Sequence, residues 1–168
     1  MLSSTNANPR SAGSGEAVPG LSVLLCHAGP IAIGLPLRHV VETMRPLSLE
    51  PLAGMPPFMA GLSVVRGVSV PVVRLARLLG HELAEPPTRF VILDVDGRRV
   101  ALALERVLGV RSIRADAVAE LPPLLGAAQV DFVVRVGALD ARLLVVLESG
   151  RVVPEAVWES LRSQGERA

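Results

Sequence analysis

Aromatic side chains are almost missing from this chain: Phe58, Phe90, Phe132 and Trp158 are the whole set in 168 residues. A surface that stacks nucleic-acid bases needs more of them, and better grouped. Cysteine is scarcer still. Cys26 stands alone, which excludes an intrachain disulfide framework and a cysteine-built metal cluster and fits a reducing compartment. Neither charge is in excess: 17 basic and 16 acidic residues leave a net +1, which gives no electrostatic case for nucleic acid or a membrane surface. Long apolar runs are lacking too. Stretches such as LLVVL at 143–147 fall far short of a bilayer span, and residues 1–20 hold no apolar segment of the signal-peptide kind. A cytoplasmic protein is the simplest expectation.

Half of the residues are nevertheless apolar and a fifth are charged, the balance of a globular chain long enough for one proper core. Residues 1–20, rich in Ser, Gly, Ala, Asn and Pro, read as a disordered tail. The domain is expected over 21–150, with 151–168 as a C-terminal helix and tail that belong to it as far as about 162.

Within the domain the apolar runs have strand length. LSVLLC (21–26) and IAIGLPL (31–37) flank a turn at 28–30, and RHVVETM (38–44) reads as a short helix or a bent strand that Pro46 stops. The segment 47–58 has three prolines after Leu47 and reads as a connector docking through Leu47, Leu49 and Leu52. RLARLLG (74–80) has helical spacing over two turns and ends on Gly80. TRFVILDV (88–95) and RRVALALERVLGV (98–110) flank Asp96-Gly97, a strong hairpin signal. The stretch 111–130 reads as irregular and mostly exposed. DFVVRVGAL and ARLLVVLE make another hairpin, and PEAVWESLR (154–162) a last helix with an apolar stripe of Val157, Trp158 and Leu161. Some eight to ten short strands that do not alternate with long helices argue against a parallel α/β sheet and for small barrels or a sandwich.

Nothing assembles a nucleophile, a base and an orienting group. His27, His39 and His81 lie in separate segments without ligand spacing and read as surface residues. Asp94 and Asp96 flank an ordinary Asp-Gly turn, Cys26 reads as a small buried hydrophobe, and no strand precedes the GSG at 13–15. No cofactor or metal is implied.

The unusual feature is the hairpin GLSVVRGVSVPVVRL at 61–75, which puts an arginine at a tight, apolar turn. A type I′ turn would need positive φ at Arg66, whereas a type I turn with a glycine bulge would leave that conformation to Gly67 alone and hold the guanidinium free. Arg66 is then either a surface residue with an ordinary partner or a displayed charge. Leu62 and Val64 should share one face of the first strand and Ser63 and Val65 the other. Pro71, without an N–H, belongs at an edge or beside a bulge.

The order of these features resembles the CheW family, the adaptor proteins of bacterial chemotaxis-type signalling. GLSVVRG, VSVPVVRL and ARLLG are similar to the family's R-G hairpin, its apolar V-P-V-V strand and its short helix ending L-L-G. LPLRHVVETMRPLSLEPLAGMPPFMAG is similar to its V-x-E segment and proline-bearing connector, DVDGRRVALALERVLGVRSI to its hairpin and V-L-G-V motif, and ALDARLLVVLE to its closing L-D-G-R-L hairpin. The resemblance covers about residues 21–162. It implies a mainly β fold of two intertwined five-stranded, SH3-like barrels with a few short helices, and a non-enzymatic role.

It also implies partners: the regulatory domain of a CheA-type histidine kinase, which shares the fold, and the cytoplasmic tip of a methyl-accepting chemoreceptor, a helical hairpin lying in an apolar groove between the barrels. Carried over by position, the resemblance assigns Leu24, Leu37, Val40, Arg66, Gly67 and Val107 to the receptor groove and Arg74 to the kinase-facing surface. Val64, Arg74, Glu105 and Ala141 depart from the family's usual residues, which implies a divergent pathway. Two other readings would keep the fold without receptor or kinase: a homomeric β-protein with Arg66 pairing across a two-fold, and a ligand-sensing barrel.

Overall fold

The computed structural model describes residues 20–82, 85–120, 132–140 and 142–165. The expected tail over 1–20 lies outside the described residues except for Gly20, as do 121–131 and the turn residue Ala141.

Among the described residues, eleven strands form two sheets. One holds β1 (Gly20–Ala28), β2 (Ile31–Pro36), β8 (Arg106–Arg114), β9 (Val118–Glu120), β10 (Val133–Leu139) and β11 (Arg142–Leu147), in the order β8-β1-β2-β11-β10-β9. The other holds β3 (Val40–Met44), β4 (Met59–Val65), β5 (Val68–Arg74), β6 (Arg89–Val95) and β7 (Arg98–Leu104), in the order β3-β6-β7-β5-β4. Neighbours pair antiparallel except β11 with β2 and β5 with β7. This is the expected mainly β, two-sheet architecture, with three-residue β9 as the sixth member of one sheet.

The core explains why the strands read as almost continuous apolar runs rather than as clean alternations. The central strands of each sheet bury both faces. Leu24 and Cys26 of β1, Ile33 and Leu35 of β2, Val91 and Leu93 of β6, Leu102 and Leu104 of β7, and Val145 and Leu147 of β11 meet in one central cluster shared by the sheets. The alternate residues fill separate interiors: Val23, Leu25, Leu144 and Val146 on one side, Val70, Val72, Phe90 and Ile92 on the other. A fully buried Leu or Ile contributes roughly 1.5–3 kcal/mol, so the shared cluster binds the two sheets into one unit.

Several local expectations change. The segment 38–44 is both things in turn: a 3-10 turn at Leu37–His39, then strand β3. The connector does not dock through Leu47 and Leu49, which stay exposed, while Leu52 is half-buried. It docks through Met55 and Phe58, which pack against the central cluster, and through backbone, with Glu50 and Leu62 exchanging N–H···O bonds of 2.8 Å beside Gly61, where a Cβ would strike the Glu50 carbonyl. The helix after β5 is a single turn, α1 (Leu75–Leu78), because Gly80 at φ 82° closes it early. The N–H groups of Gly80 and His81 donate to the carbonyls of Arg77 and Ala76, which satisfies the last turn.

The run 98–110 divides at Glu105, whose carboxylate accepts a 2.6 Å bond from the Gly29 N–H of the β1–β2 turn. The stretch from 111 to 120 is ordered as the end of β8, a 3-10 turn and β9, rather than irregular. The last helix, α2 (Glu155–Gly165), starts after Pro154 and is tied to β7 by Arg98, which pairs with Glu155 and lies 5.7 Å from the centre of the Trp158 ring. Pro71 fits its strand because β5 pairs with β7 only from Val72 onward. His27, His39 and His81 are half-buried rather than fully at the surface.

Candidate functional site

The β4–β5 hairpin has a two-residue loop, since Val65 pairs with Val68. Both loop residues are left-handed, Arg66 at φ 49° and Gly67 at φ 80°. The turn is therefore of the I′ kind, and the expectation that Gly67 alone takes positive φ does not hold. The physical reason is twist: a I′ turn matches the right-handed twist of the flanking strands, and this outweighs the cost at arginine. Alternation in β4 is as expected, with Ser63 and Val65 inward and Leu62 and Val64 outward; Val64 is 60% exposed.

The Arg66 guanidinium is not free. Its Nε donates to Glu42 Oε1 and its Nη2 to Glu42 Oε2, both at 2.7 Å. The Arg66 side chain is nonetheless 71% exposed, so the pair fixes a planar cation at the surface. The hydrogen bond from Arg66, and then the charges of Arg66 and Arg99, hold the Glu42 carboxyl below the ordinary glutamate range; Glu42 in turn raises Arg66. Because β3 and β4 are the two edges of the five-stranded sheet, the pair also ties one edge to the turn at the other.

The aliphatic candidates divide. Leu37, Val40 and Val107 are half-buried and pack against the central cluster, each keeping part of its side chain exposed. Leu24 does not: it is 6% exposed and belongs to the cluster itself, because Leu35 of β2 flanks it on one side and β8 covers it on the other. It offers little contact area. Arg66 reaches β3 through Glu42, two residues along from Val40, but the register shift between Val40 and Glu42 turns their side chains to opposite faces, so the strand separates Val40 from the Arg66 pair. Val107 lies opposite Cys26 on β8 and relates to β3 only through the shared core. Arg74 is exposed at the far end of β5 from Arg66, a strand length of about 20 Å at the usual rise.

Two further residues near these positions were not among the sequence candidates. Glu42 had a signal, the V-x-E segment, which marked the position without its partner. Val110, 53% exposed, had none that simple periodicity reads. Burial pushes the Cys26 thiol up to about 12, which leaves it inert. Among the described residues no three His, Cys, Asp or Glu side chains gather as a metal site, and no helix is long and apolar enough to cross a membrane.

Residues 22–157 match the CheW-like domain family. Protein FrzA of Myxococcus xanthus is 34% identical over 121 residues, covering 70% of this chain and 74% of that protein. The chemotaxis protein CheW of Klebsiella aerogenes is 24% identical over 137 residues, covering 80% and 82%. Among solved structures, the scaffolding protein TtCheW of Thermoanaerobacter tengcongensis superposes with a TM-score of 0.68 at 19% identity, over 77% of this chain and 90% of that one, which shows a common fold. A two-sheet β fold with a shared core, matched to the family over nearly all its described length, places this chain in the CheW family of chemotaxis adaptor and scaffold proteins.

Proposed function

We propose that this CheW-family protein couples the cytoplasmic tip of a methyl-accepting chemoreceptor to the regulatory domain of a CheA-type histidine kinase, in the cytoplasm and without chemistry of its own. The observation that carries the reading is the Arg66–Glu42 pair. An arginine accepts a left-handed backbone and is clamped through both carboxylate oxygens, yet most of its side chain stays at the surface. Such a group is a preorganised polar contact: little entropy remains to be lost when a partner meets it. Across β3 from it, Val40 and Leu37 offer apolar surface against the central cluster, and Val107 does so from β8. A helical hairpin lying along this surface would set apolar side chains on the aliphatics and reach Arg66 with a polar group over the edge of β3. Exposed Arg74, a strand length away, falls to the kinase.

Neither contact needs to be tight. A micromolar contact is worth about 8 kcal/mol, and holding receptor and kinase together raises the effective concentration of each. The test titrates the purified protein against a receptor-tip helical hairpin and a CheA-type regulatory domain from the same cell. Wild type binds both. Arg66→Ala folds normally and loses receptor affinity by about tenfold, or 1.4 kcal/mol. Val40→Asp and Val107→Asp lose receptor binding more than kinase binding. Equal losses to both partners would remove the groove assignment, and binding to neither by a folded monomer would remove the coupling role.

A further inference from the structure

We infer that Gly109 is a positioning residue of the groove: the bulge it permits in β8 brings Val110 onto the same face as Val107 and makes Val110 a further groove contact. The inference rests on the groove reading above and adds the residue that shapes it.

In an unbroken strand, side chains alternate between faces, so residues three apart point to opposite sides. Val107 and Val110 are three apart. The pairing with β1 shows that they do not diverge. Val107 stands opposite Cys26, Gly109 opposite Leu25 and Val110 opposite Leu24, and the register shifts between Leu25 and Cys26. Leu108 is the extra residue. Leu24 and Cys26 both belong to the central cluster, whereas Val23 and Leu25 belong to the interior on the other side of the sheet. Directly opposed residues in an antiparallel pair share a face. Val110 therefore joins Val107 on the side of the central cluster, where Val107 is half-buried and Val110 remains 53% exposed. Without the bulge Val110 would stand opposite Val23 and leave that face.

Glycine is required by conformation and not by space. Gly109 has φ 119°, a backbone state that L side chains rarely adopt, yet a Cβ built there would meet nothing within 4 Å. A bulge beside a site commonly re-aims a side chain.

Strand β3, an edge strand of the other sheet, uses the same device with the opposite outcome. Val40 and Glu42 of β3 are two apart and would share a face in an unbroken strand. Val40 pairs with Leu93 and Glu42 with Ile92, and the register shifts between them, leaving Val41 extra. Leu93 lies in the central cluster and Ile92 in the interior of the five-stranded sheet. The bulge thus keeps Val40 on the groove side and sends Glu42 to the side where it holds Arg66. One bulge gathers two aliphatics, and the other keeps a carboxylate away from one.

The experiment compares wild type, Gly109→Val, and Gly109→Val with Leu108 deleted. Valine forbids φ near 119°, so the single variant loses the bulge and Val110 turns away. Deleting Leu108 as well restores Val110 opposite Leu24 through a regular ladder that needs no bulge. The first readout is the methyl–methyl nuclear Overhauser contact between Val110 and Leu24, which needs no partner: present, lost, restored. The second is affinity for the receptor-tip hairpin, expected to fall about tenfold and then return, with kinase-domain affinity level throughout.

A single variant that keeps the methyl contact overturns the inference. So does a double variant that regains the contact but not the affinity. If wild type binds no receptor tip, the coupling role falls while the methyl contact still decides the bulge. If Gly109→Val does not fold, Val110→Asp, at an exposed position, decides: it is expected to lower receptor affinity alone, and unchanged affinity overturns the contact.

Discussion

Two hairpin turns share one backbone and differ in what they do with it. Arg66-Gly67 has φ values of 49° and 80°, and Asp96-Gly97 has 54° and 80°. Aspartate is an ordinary occupant of the left-handed region and arginine is not. Around the second turn the chemistry stays local: Asp94 accepts from the Gly97 N–H at 3.0 Å and from Arg99 at 3.2 Å. Around the first it is long-range, Arg66 reaching a carboxylate 24 residues earlier in the chain. The same turn could be built more cheaply with asparagine or aspartate. What arginine adds is reach, and that separates a turn that only reverses the chain from one that presents a side chain.

The comparison can be broken in three ways. The largest effect is expected from Gly67→Val and Gly97→Val. Neither Cβ would meet an atom within 4 Å, so the cost is backbone strain alone, about 1–3 kcal/mol in each by urea unfolding. Markedly unequal losses would show that the turns are not the same element. A smaller effect separates their side chains. Arg66→Asn relieves the turn and so holds or slightly raises the unfolding midpoint, while receptor affinity falls; Asp96→Asn moves neither. An Arg66→Asn protein that binds the receptor as wild type would reduce the arginine to a turn residue.

The smallest effect is in acid. The folded Glu42 carboxyl titrates below its ordinary range, held there first by the Arg66 hydrogen bond. Its stabilisation is therefore complete above the ordinary glutamate pKa and is lost as pH falls through the depressed folded value. The pair is exposed, so the effect is slight. The urea midpoints of wild type and Glu42→Gln should differ modestly at neutral pH and converge in acid. A constant gap across that range would show that the pair adds nothing that titrates.

Most of the element pattern was legible because hairpin chemistry is local. Asp96-Gly97 marks its turn by composition, and Gly80 marks the end of α1. What was not legible depends on the second sheet. Leu24 reads as a strand residue with any exposure, and only its position over the shared cluster buries it. Leu47 and Leu49 look like anchors, but the connector is held by Met55 and Phe58 on the central cluster and by its backbone against Gly61. The end of β8 reads as polar and irregular because an edge strand needs few apolar residues. The bulges at Val41 and Leu108 have no composition of their own, so the faces of Glu42 and Val110 could not be assigned by counting.

The five-stranded sheet is one continuous stretch, β3 to β7, nested inside a sheet whose strands come from both sides of it. A ribosome releases the nested sheet whole, while the β1–β2 hairpin, made earlier, still waits for β11 to pair with β2. One side of the central cluster thus stays uncovered through the synthesis of nearly the whole domain. Strand β11 therefore sets when the protein becomes one cooperative body, and a chain stalled before residue 142 would carry a complete five-stranded sheet beside a β2 edge still open.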